Sequence, residues 1–116
     1  MITITSPHVP PSVNSMFRNV AGKGRVRTQR YRDWAAAAGW DCNGKGKIEG
    51  EFDFRLIVSR AKSRKNSDLD NRIKPVMDLL QTHGIIENDS LCQSIQVAYG
   101  DCEGFCVEVS PAKRVD

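Results

Sequence analysis

The chain has 116 residues, of which 40% are hydrophobic and 27% are charged. This composition is typical of one small globular domain over residues 1–116, and it excludes an intrinsically disordered chain. No apolar run approaches the roughly 20 residues that a membrane-spanning helix needs. The opening MITITSPHVPP has neither a basic segment nor a continuous apolar segment of the kind found in export signals. We therefore expect a cytoplasmic location without membrane association.

The net charge of +3 is unevenly distributed along the chain. Basic clusters suit a polyanionic partner, because Lys and Arg side chains that neutralise phosphates release counterions and so favour association. For either basic cluster taken alone, a solvated loop without a polyanionic partner is an equally good explanation. The first cluster contains Arg18, Lys23, Arg25, Arg27, Arg30 and Arg32, and the second contains Arg60, Lys62, Arg64 and Lys65.

Four cysteines occur without a CxxC pair. In a chain that is not exported, thiols usually stay reduced. The spacing therefore favours core or partly buried thiols over a zinc site.

The first half of the chain predicts a strand, a loop and a helix. MITITS alternates apolar and polar residues and predicts a strand, which the prolines of residues 7–11 end. NVAGKGRVR, residues 19–27, shows no apolar periodicity and predicts a loop. TQRYRDWAAAAG, residues 28–39, predicts a helix capped by Thr28, with Tyr31, Trp34, Ala35 and Ala38 on its core face.

Later segments predict further strands. EFDFRLIVSR, residues 51–60, places Phe52, Phe54, Leu56 and Val58 on one side of a strand. Residues 92–110 place apolar side chains at period two on both sides of a glycine-containing connection, which predicts a β-hairpin. With one more helix between these strands, the order β-α-β-α-β-β predicts an α+β (α/β-like) domain with one mixed β-sheet and two main helices.

That second helix lies in SDLDNRIKPVMDLL, residues 67–80. Asp70, Lys74 and Asp78 recur every four residues on one face, so their side chains are neighbours. Pro75 is tolerated in a first turn but not deep in a helix, which favours an irregular or early-turn start near residues 70–74. The neighbouring apolar stripe that faces the core consists of Leu69, Ile73, Val76, Met77 and Leu80.

Asp68 and Asp70 lie at the mouth of this helix, two residues apart. Two like charges about 4 Å apart repel by roughly 4 kcal/mol at an effective dielectric of about 20. We therefore expect a positive group between them, either Lys74 or a hard divalent cation such as Mg2+, with Mn2+ as a substitute. The alternative is that Ser67, Asp68 or Asp70 caps the N-terminus of the helix. We expect Asp78 to be an ion-pair partner in a ladder with Lys74.

A third carboxylate follows in GIIENDS, residues 84–90, where Gly84 ends the helix. From Asp70 to Gly84 the helix rises about 21 Å at about 1.5 Å per residue. The five extended steps from Gly84 to Asp89 lead back along the helix by at most about 18 Å. Asp89 therefore reaches Asp70 only if residues 85–89 are nearly straight.

Three motifs together resemble the RusA family of Holliday-junction resolvases, which are small dimeric endodeoxyribonucleases of bacteria and their prophages. They are PPSVN at residues 10–14, DLDNRIKPVMDLL at residues 68–80 and GIIENDS at residues 84–90. The resemblance implies that Asp68, Asp70 and Asp89 bind metal and are catalytic together with Lys74. Many relatives have two acids where this chain has Asn88 and Asp89, a departure that we expect to weaken metal binding at most.

The resemblance also implies a homodimer that cuts branched, four-way DNA by paired Mg2+-dependent hydrolysis in recombination and repair. Lys74 either stabilises the developing charge or orients the attacking water. A non-catalytic junction-binding protein and a broader metal-dependent or RNA-acting nuclease stay as alternatives. Asn14 suits either a phosphate contact or a turn. The expected DNA contacts are Asn14, Arg18, Lys23, Arg25, Arg27, Lys62, Arg64, Lys65, Asn71 and Arg72.

Overall fold

The computed structural model describes residues 1–62 and 69–113. Within these ranges, two α-helices and a mixed β-sheet confirm the α+β class. Three of the predicted site residues, Asp68, Arg64 and Lys65, lie outside the described residues. The elements are β1 Ile2–Ser6, β2 Phe17–Val20, β3 Gly24–Arg27, α1 Gln29–Gly39, β4 Phe52–Ser59, α2 Ile73–Thr82, β5 Cys92–Gly100 and β6 Phe105–Pro111.

Four strands form the main sheet in the order β1-β6-β4-β5. The central strand β4 pairs antiparallel with β6 and parallel with β5. Parallel pairing requires a crossover connection between the two strands, and this crossover contains α2 and the carboxylate-rich segments on either side of it. The predicted alternation of β4 is confirmed by four buried side chains, Phe52, Phe54, Leu56 and Val58.

The hairpin predicted over residues 92–110 is wrong. Strand β6 lies between β1 and β4, whereas β5 lies on the far side of β4. The reason is burial: Phe105, Val107 and Val109 are fully buried, so β6 occupies an interior position, while β5 is largely exposed at the edge of the sheet. Period-two alternation identified both strands but did not identify their partners.

The loop predicted over residues 19–27 is also wrong. Strands β2 and β3 pair antiparallel from Phe17 opposite Arg27 to Val20 opposite Gly24. Gly22 and Gly24 have φ angles of 78° and 73°, which allow the tight turn between the strands. Because half of these strand residues are polar and exposed and none is fully buried, no apolar alternation marks them. Residues 17–27 are termed the basic hairpin below.

Both helices pack on the sheet as predicted. Thr28 caps α1 by accepting a hydrogen bond from the backbone N–H of Tyr31 at 3.2 Å. Tyr31, Trp34 and Ala38 are buried, and Ala35 packs partly buried against the same core. The predicted α2 stripe is confirmed, with Leu69 and Ile73 partly buried and Val76, Met77 and Leu80 buried.

The end of α2 is a Schellman motif centred on Gly84, which has a φ of 72°. The N–H of Gly84 donates to the carbonyl of Gln81 at 3.1 Å, and the N–H of Ile85 donates to that of Leu80 at 2.9 Å. This turn starts the return of the chain toward Asp89.

Gly84→Ala is expected to lower the free energy of unfolding by about 1 to 2 kcal/mol, because an alanine side chain strains a left-handed backbone. Urea denaturation measures the change. Thr82→Ala, at an exposed position in the last turn of α2, is the matched control and should not destabilise the protein. Equal stability of Gly84→Ala and the wild type would contradict the assignment of Gly84 as the left-handed residue of the Schellman motif.

Candidate active site

A 3-10 turn over Leu69–Arg72 precedes α2 and carries Asp70. Lys74 and Pro75 then lie in the first turn of α2. The proline therefore occupies a position where its missing N–H costs little. This geometry confirms the predicted irregular start, and it leaves the Asp70 side chain exposed at the mouth of the helix.

An open groove of about 540 Å3 brings together three of the four predicted catalytic residues, Asp70, Lys74 and Asp89. Its other walls come from α2, from the turn after Asp89 and from the edge strand β5. These further lining residues are Ile73, Met77, Ser90, Cys92 and Ile95.

The return of the chain places Asp89 against Lys74. Lys74 Nζ donates to Asp89 Oδ2 at 2.8 Å, and the backbone N–H of Asp89 donates to Gln81 Oε1 at 3.0 Å. Asn88 caps the 3-10 turn that begins at Asp89 by accepting from the Ser90 N–H at 2.9 Å. Gln81, which the sequence analysis does not single out, therefore orients Asp89, and Asn88 caps the turn that begins there.

The expectation that residues 85–89 are nearly straight is wrong. The chain bends at Ile85 and Glu87, because Ile85 and Ile86 are buried and bonded to Ile48. The N–H of Ile48 donates to the Ile85 carbonyl at 2.8 Å. Asp89 still lines the same groove as Asp70, and there it accepts a hydrogen bond from Lys74.

Asp78 is confirmed as an ion-pair partner, but its partner is not Lys74. Arg27 donates to Asp78 Oδ2 at 3.4 Å, and the Tyr31 hydroxyl donates to the same oxygen. The predicted ladder of Lys74 with Asp78 is therefore not formed. Lys74 pairs with Asp89, and Asp78 pairs with Arg27 of the basic hairpin.

A cysteine in the groove is not a suitable nucleophile. Burial raises the pKa of the Cys92 thiol. The hydrogen bond with the Ser94 backbone lowers it, but this effect is outweighed by burial together with the negative charges of Asp53 and Asp89. Cys92 therefore stays protonated at neutral pH, and the thiolate is the reactive form. The other polar or charged side chains that line the groove are Asp70, Lys74, Asp89 and Ser90.

The oxygen donors of the groove suit a hard divalent cation. In the part of the chain that the structure describes, no three His, Cys, Asp or Glu side chains are grouped closely enough to hold a metal ion. Mg2+ does not need such a cage, since it commonly binds through one or two carboxylates, several waters and the phosphates of a substrate. Asp70 and Asp89, which line one groove, fit that pattern.

The PPSVN motif forms a turn beside the basic hairpin. Ser12 accepts a hydrogen bond from the Asn14 N–H at 3.2 Å, so Ser12 rather than Asn14 caps the turn. The Asn14 side chain is exposed. It lines a polar groove of about 470 Å3 together with Val13, Phe17, Arg18, Asn19 and Arg25.

The remaining predicted DNA contacts differ in exposure. Lys62 is exposed, and its backbone N–H donates to Ser59 Oγ at 3.2 Å. Asn71 is half-buried. Arg72 is only 6% exposed and donates to the carbonyl of Pro10. The assignment of Arg72 as a DNA contact is therefore wrong: its guanidinium joins the 3-10 turn to the proline-rich segment.

No helix in the described ranges is long and apolar enough to cross a membrane.

Comparison with known proteins gives two findings. The family model described as Endodeoxyribonuclease RusA matches residues 7–110. The chain is also 27% identical over 109 residues to the Crossover junction endodeoxyribonuclease RusA of Aquifex aeolicus (strain VF5), a match that covers 87% of this chain and 83% of that relative. The matched range includes the proline-rich turn, the basic hairpin, the groove and the main part of the sheet.

Proposed function

Because the chain belongs to the RusA endodeoxyribonuclease family, we propose that it is a structure-selective nuclease that resolves four-way (Holliday) DNA junctions in recombination and repair. The observation that carries the proposal is the groove shared by Asp70, Lys74 and Asp89. A cytoplasmic location, with access to DNA, belongs to the same proposal.

Asp70 and Asp89 would hold Mg2+, or Mn2+ in its place, with Asp68 as the third carboxylate. When bound, the cation polarises the phosphoryl oxygen and activates the attacking water. Asp70 is exposed and Asp89 partly exposed, so a phosphodiester backbone has access to both carboxylates.

Lys74 is proposed to stabilise the negative charge that develops on the phosphate. Its ammonium group has three N–H donors and no acceptor, so it cannot take a proton from water while charged. One donor bonds to Asp89, which holds the side chain at the groove. Among the described residues no other group accepts from Lys74, so its remaining donors can bond to a phosphate oxygen, where a positioned charge favours the transition state.

The DNA arms are proposed to lie along the basic hairpin and the proline-rich turn. Arg18 and Arg25 line the polar groove with Asn14, and the guanidinium carbon of Arg25 lies 4.2 Å from the centroid of the Phe17 ring. Contacts from such groups to phosphates position a duplex without reading its sequence. The further proposed contacts are Lys23, Lys62, Arg64, Lys65 and Asn71.

A homodimer is proposed because a four-way junction is two-fold symmetric and paired nicks need two identical sites. Light scattering should therefore give twice the chain mass of 12.9 kDa. A protein that cuts opposing strands as a monomer would contradict this part of the proposal.

The test is cleavage of a fluorescently labelled four-way junction with Mg2+, with Mn2+ and with a chelator. Symmetric nicks on opposing strands that require the metal are the expected result. A linear duplex of the same sequence and an RNA duplex are the controls. Equal cutting of these controls would favour a broader nuclease, and junction binding without nicking would favour a non-catalytic protein.

A further inference from the structure

The Asp78 carboxylate joins three elements of the fold. Its Oδ2 atom accepts from Arg27 at 3.4 Å and from the hydroxyl of Tyr31. Arg27 belongs to β3 of the basic hairpin, Tyr31 to α1 and Asp78 to the catalytic helix α2. Asp78 lies one turn after Lys74 on α2, so the two residues occupy one rigid element.

Aromatic packing strengthens the base of the basic hairpin. The Phe17 and Tyr31 rings stack with centroids 6.5 Å apart, and the Arg27 guanidinium carbon lies 5.4 Å from the Tyr31 centroid. Phe17 and Arg27 are directly opposite each other in the β2–β3 pair. Tyr31, which is 1% exposed, therefore contacts both strands at the base of the hairpin: β2 through Phe17 and β3 through Arg27.

The surroundings of the Tyr31 hydroxyl keep it protonated, so that it acts as a hydrogen-bond donor. Burial raises the pKa of Tyr31, and the hydrogen bond to Asp78 and the negative charge of Asp78 raise it further. The hydroxyl therefore stays protonated at neutral pH, where it orients the Asp78 carboxylate toward Arg27.

Arg25 and Arg27 lie on the same face of the basic hairpin but differ in their contacts. Arg27 meets an acid, and Arg25 meets the face of the Phe17 ring. A guanidinium stacked on a ring keeps its edge N–H groups available for a phosphate. The two arginines therefore suit different tasks.

We infer that Arg27 is an anchor rather than a phosphate contact, and that the Tyr31–Asp78–Arg27 network fixes the basic hairpin on α2. DNA held by Arg18 and Arg25 is thereby positioned relative to Lys74. Arg27 and Asp78 are positioning residues for the reaction. The DNA part of this inference rests on the proposed function, whereas the anchoring does not.

Hydrogen exchange followed by mass spectrometry tests the anchoring without DNA. Asp78→Asn keeps an acceptor for Tyr31 but loses the charge that attracts Arg27, and Arg27→Gln loses the other partner. Both variants should exchange the amides of residues 17–27 several-fold faster than the wild type, because local opening costs less free energy. Unchanged exchange in the β4 and β6 amides shows that the variants fold.

Asp33→Asn is the matched control, since Asp33 is an exposed acid on α1 that bonds to Gln29. It should leave exchange in the hairpin unchanged. If both Asp78→Asn and Arg27→Gln also leave the exchange of residues 17–27 unchanged, the anchor is overturned, whatever the protein does to DNA.

The salt dependence of junction binding tests the division of tasks between the two arginines. Arg25→Gln should reduce the slope of log affinity against log salt by about one, as expected for a lost phosphate contact. Arg27→Gln should keep the wild-type slope and weaken binding by about two- to fivefold, the range of a surface ion pair. A slope reduced by about one in Arg27→Gln would make Arg27 a phosphate contact and overturn the inference.

Junction binding by Asp78→Asn separates the loss of the anchor from a change in net charge. This variant should bind the junction more weakly, although it removes a negative charge. Asp33→Asn, which removes the same charge elsewhere, should bind as tightly as the wild type or more tightly. The double variant of Arg27→Gln and Asp78→Asn should bind no more weakly than either single variant, since one interaction is lost in each. If the wild type binds no junction but the exchange result holds, the proposed function fails and the anchor stands.

Discussion

Asp70→Asn is expected to reduce junction cleavage by at least about a hundredfold, which corresponds to about 3 kcal/mol of transition-state stabilisation. The substitution keeps the size of the side chain and removes only its charge, at an exposed position on the 3-10 turn before α2. Junction affinity should be unchanged or higher, because the variant removes a negative charge beside the DNA phosphates. Single-turnover cleavage with Mg2+ and binding assays in chelator measure the two effects separately.

Asp101→Asn is the matched control for Asp70→Asn. Asp101 is exposed in the connection between β5 and β6, away from the residues that line the groove. This control should cut junctions at the wild-type rate. Equal cutting by Asp70→Asn and the wild type would contradict the assignment of Asp70 as a metal ligand.

Lys74→Met is expected to reduce cleavage by about a hundred- to a thousandfold, the range seen when one electrostatic stabiliser of a transition state is removed. Its effect on stability should be small, because the Lys74 and Asp89 side chains are 49% and 38% exposed and exposed ion pairs contribute at most about 1 kcal/mol. Cleavage rates and urea denaturation of the same protein give both values. A large loss of activity with little loss of stability is the signature of a catalytic role.

Two further variants define the Lys74 result. Lys74→Arg keeps the charge and should recover part of the activity, while Lys45→Met, at an exposed position in the connector before β4, should retain full activity. If Lys74→Met cleaves like the wild type, Lys74 is only the ion-pair partner of Asp89. If Lys74→Arg is as inactive as Lys74→Met, geometry rather than charge is decisive at this position.

Much of the fold could be predicted because it rests on local rules. Helix α1 follows from the Thr28 cap and its alanine run, and β4 follows from period-two burial. The basic hairpin could not be predicted, since its strands are mostly exposed and its stability comes from contacts such as the stacking of Phe17 on Tyr31. The partners of β5 and β6 cannot be predicted from alternation, because alternation describes the faces of a strand and not its neighbours.

For the candidate site, sequence patterns alone predict helix α2: its apolar stripe, its irregular start near residues 70–74 and its end at Gly84. The acid-containing motifs also indicate the RusA family, whose model matches residues 7–110. Which charged side chains pair with each other depends on the tertiary structure. Lys74 pairs with Asp89 across 15 residues, Arg27 with Asp78 across 51 and Arg72 with the Pro10 carbonyl across 62. Helical periodicity specifies neighbours up to four residues apart. More distant partners depend on how the β4–β5 crossover and the basic hairpin bring separate segments together, and no local pattern encodes that.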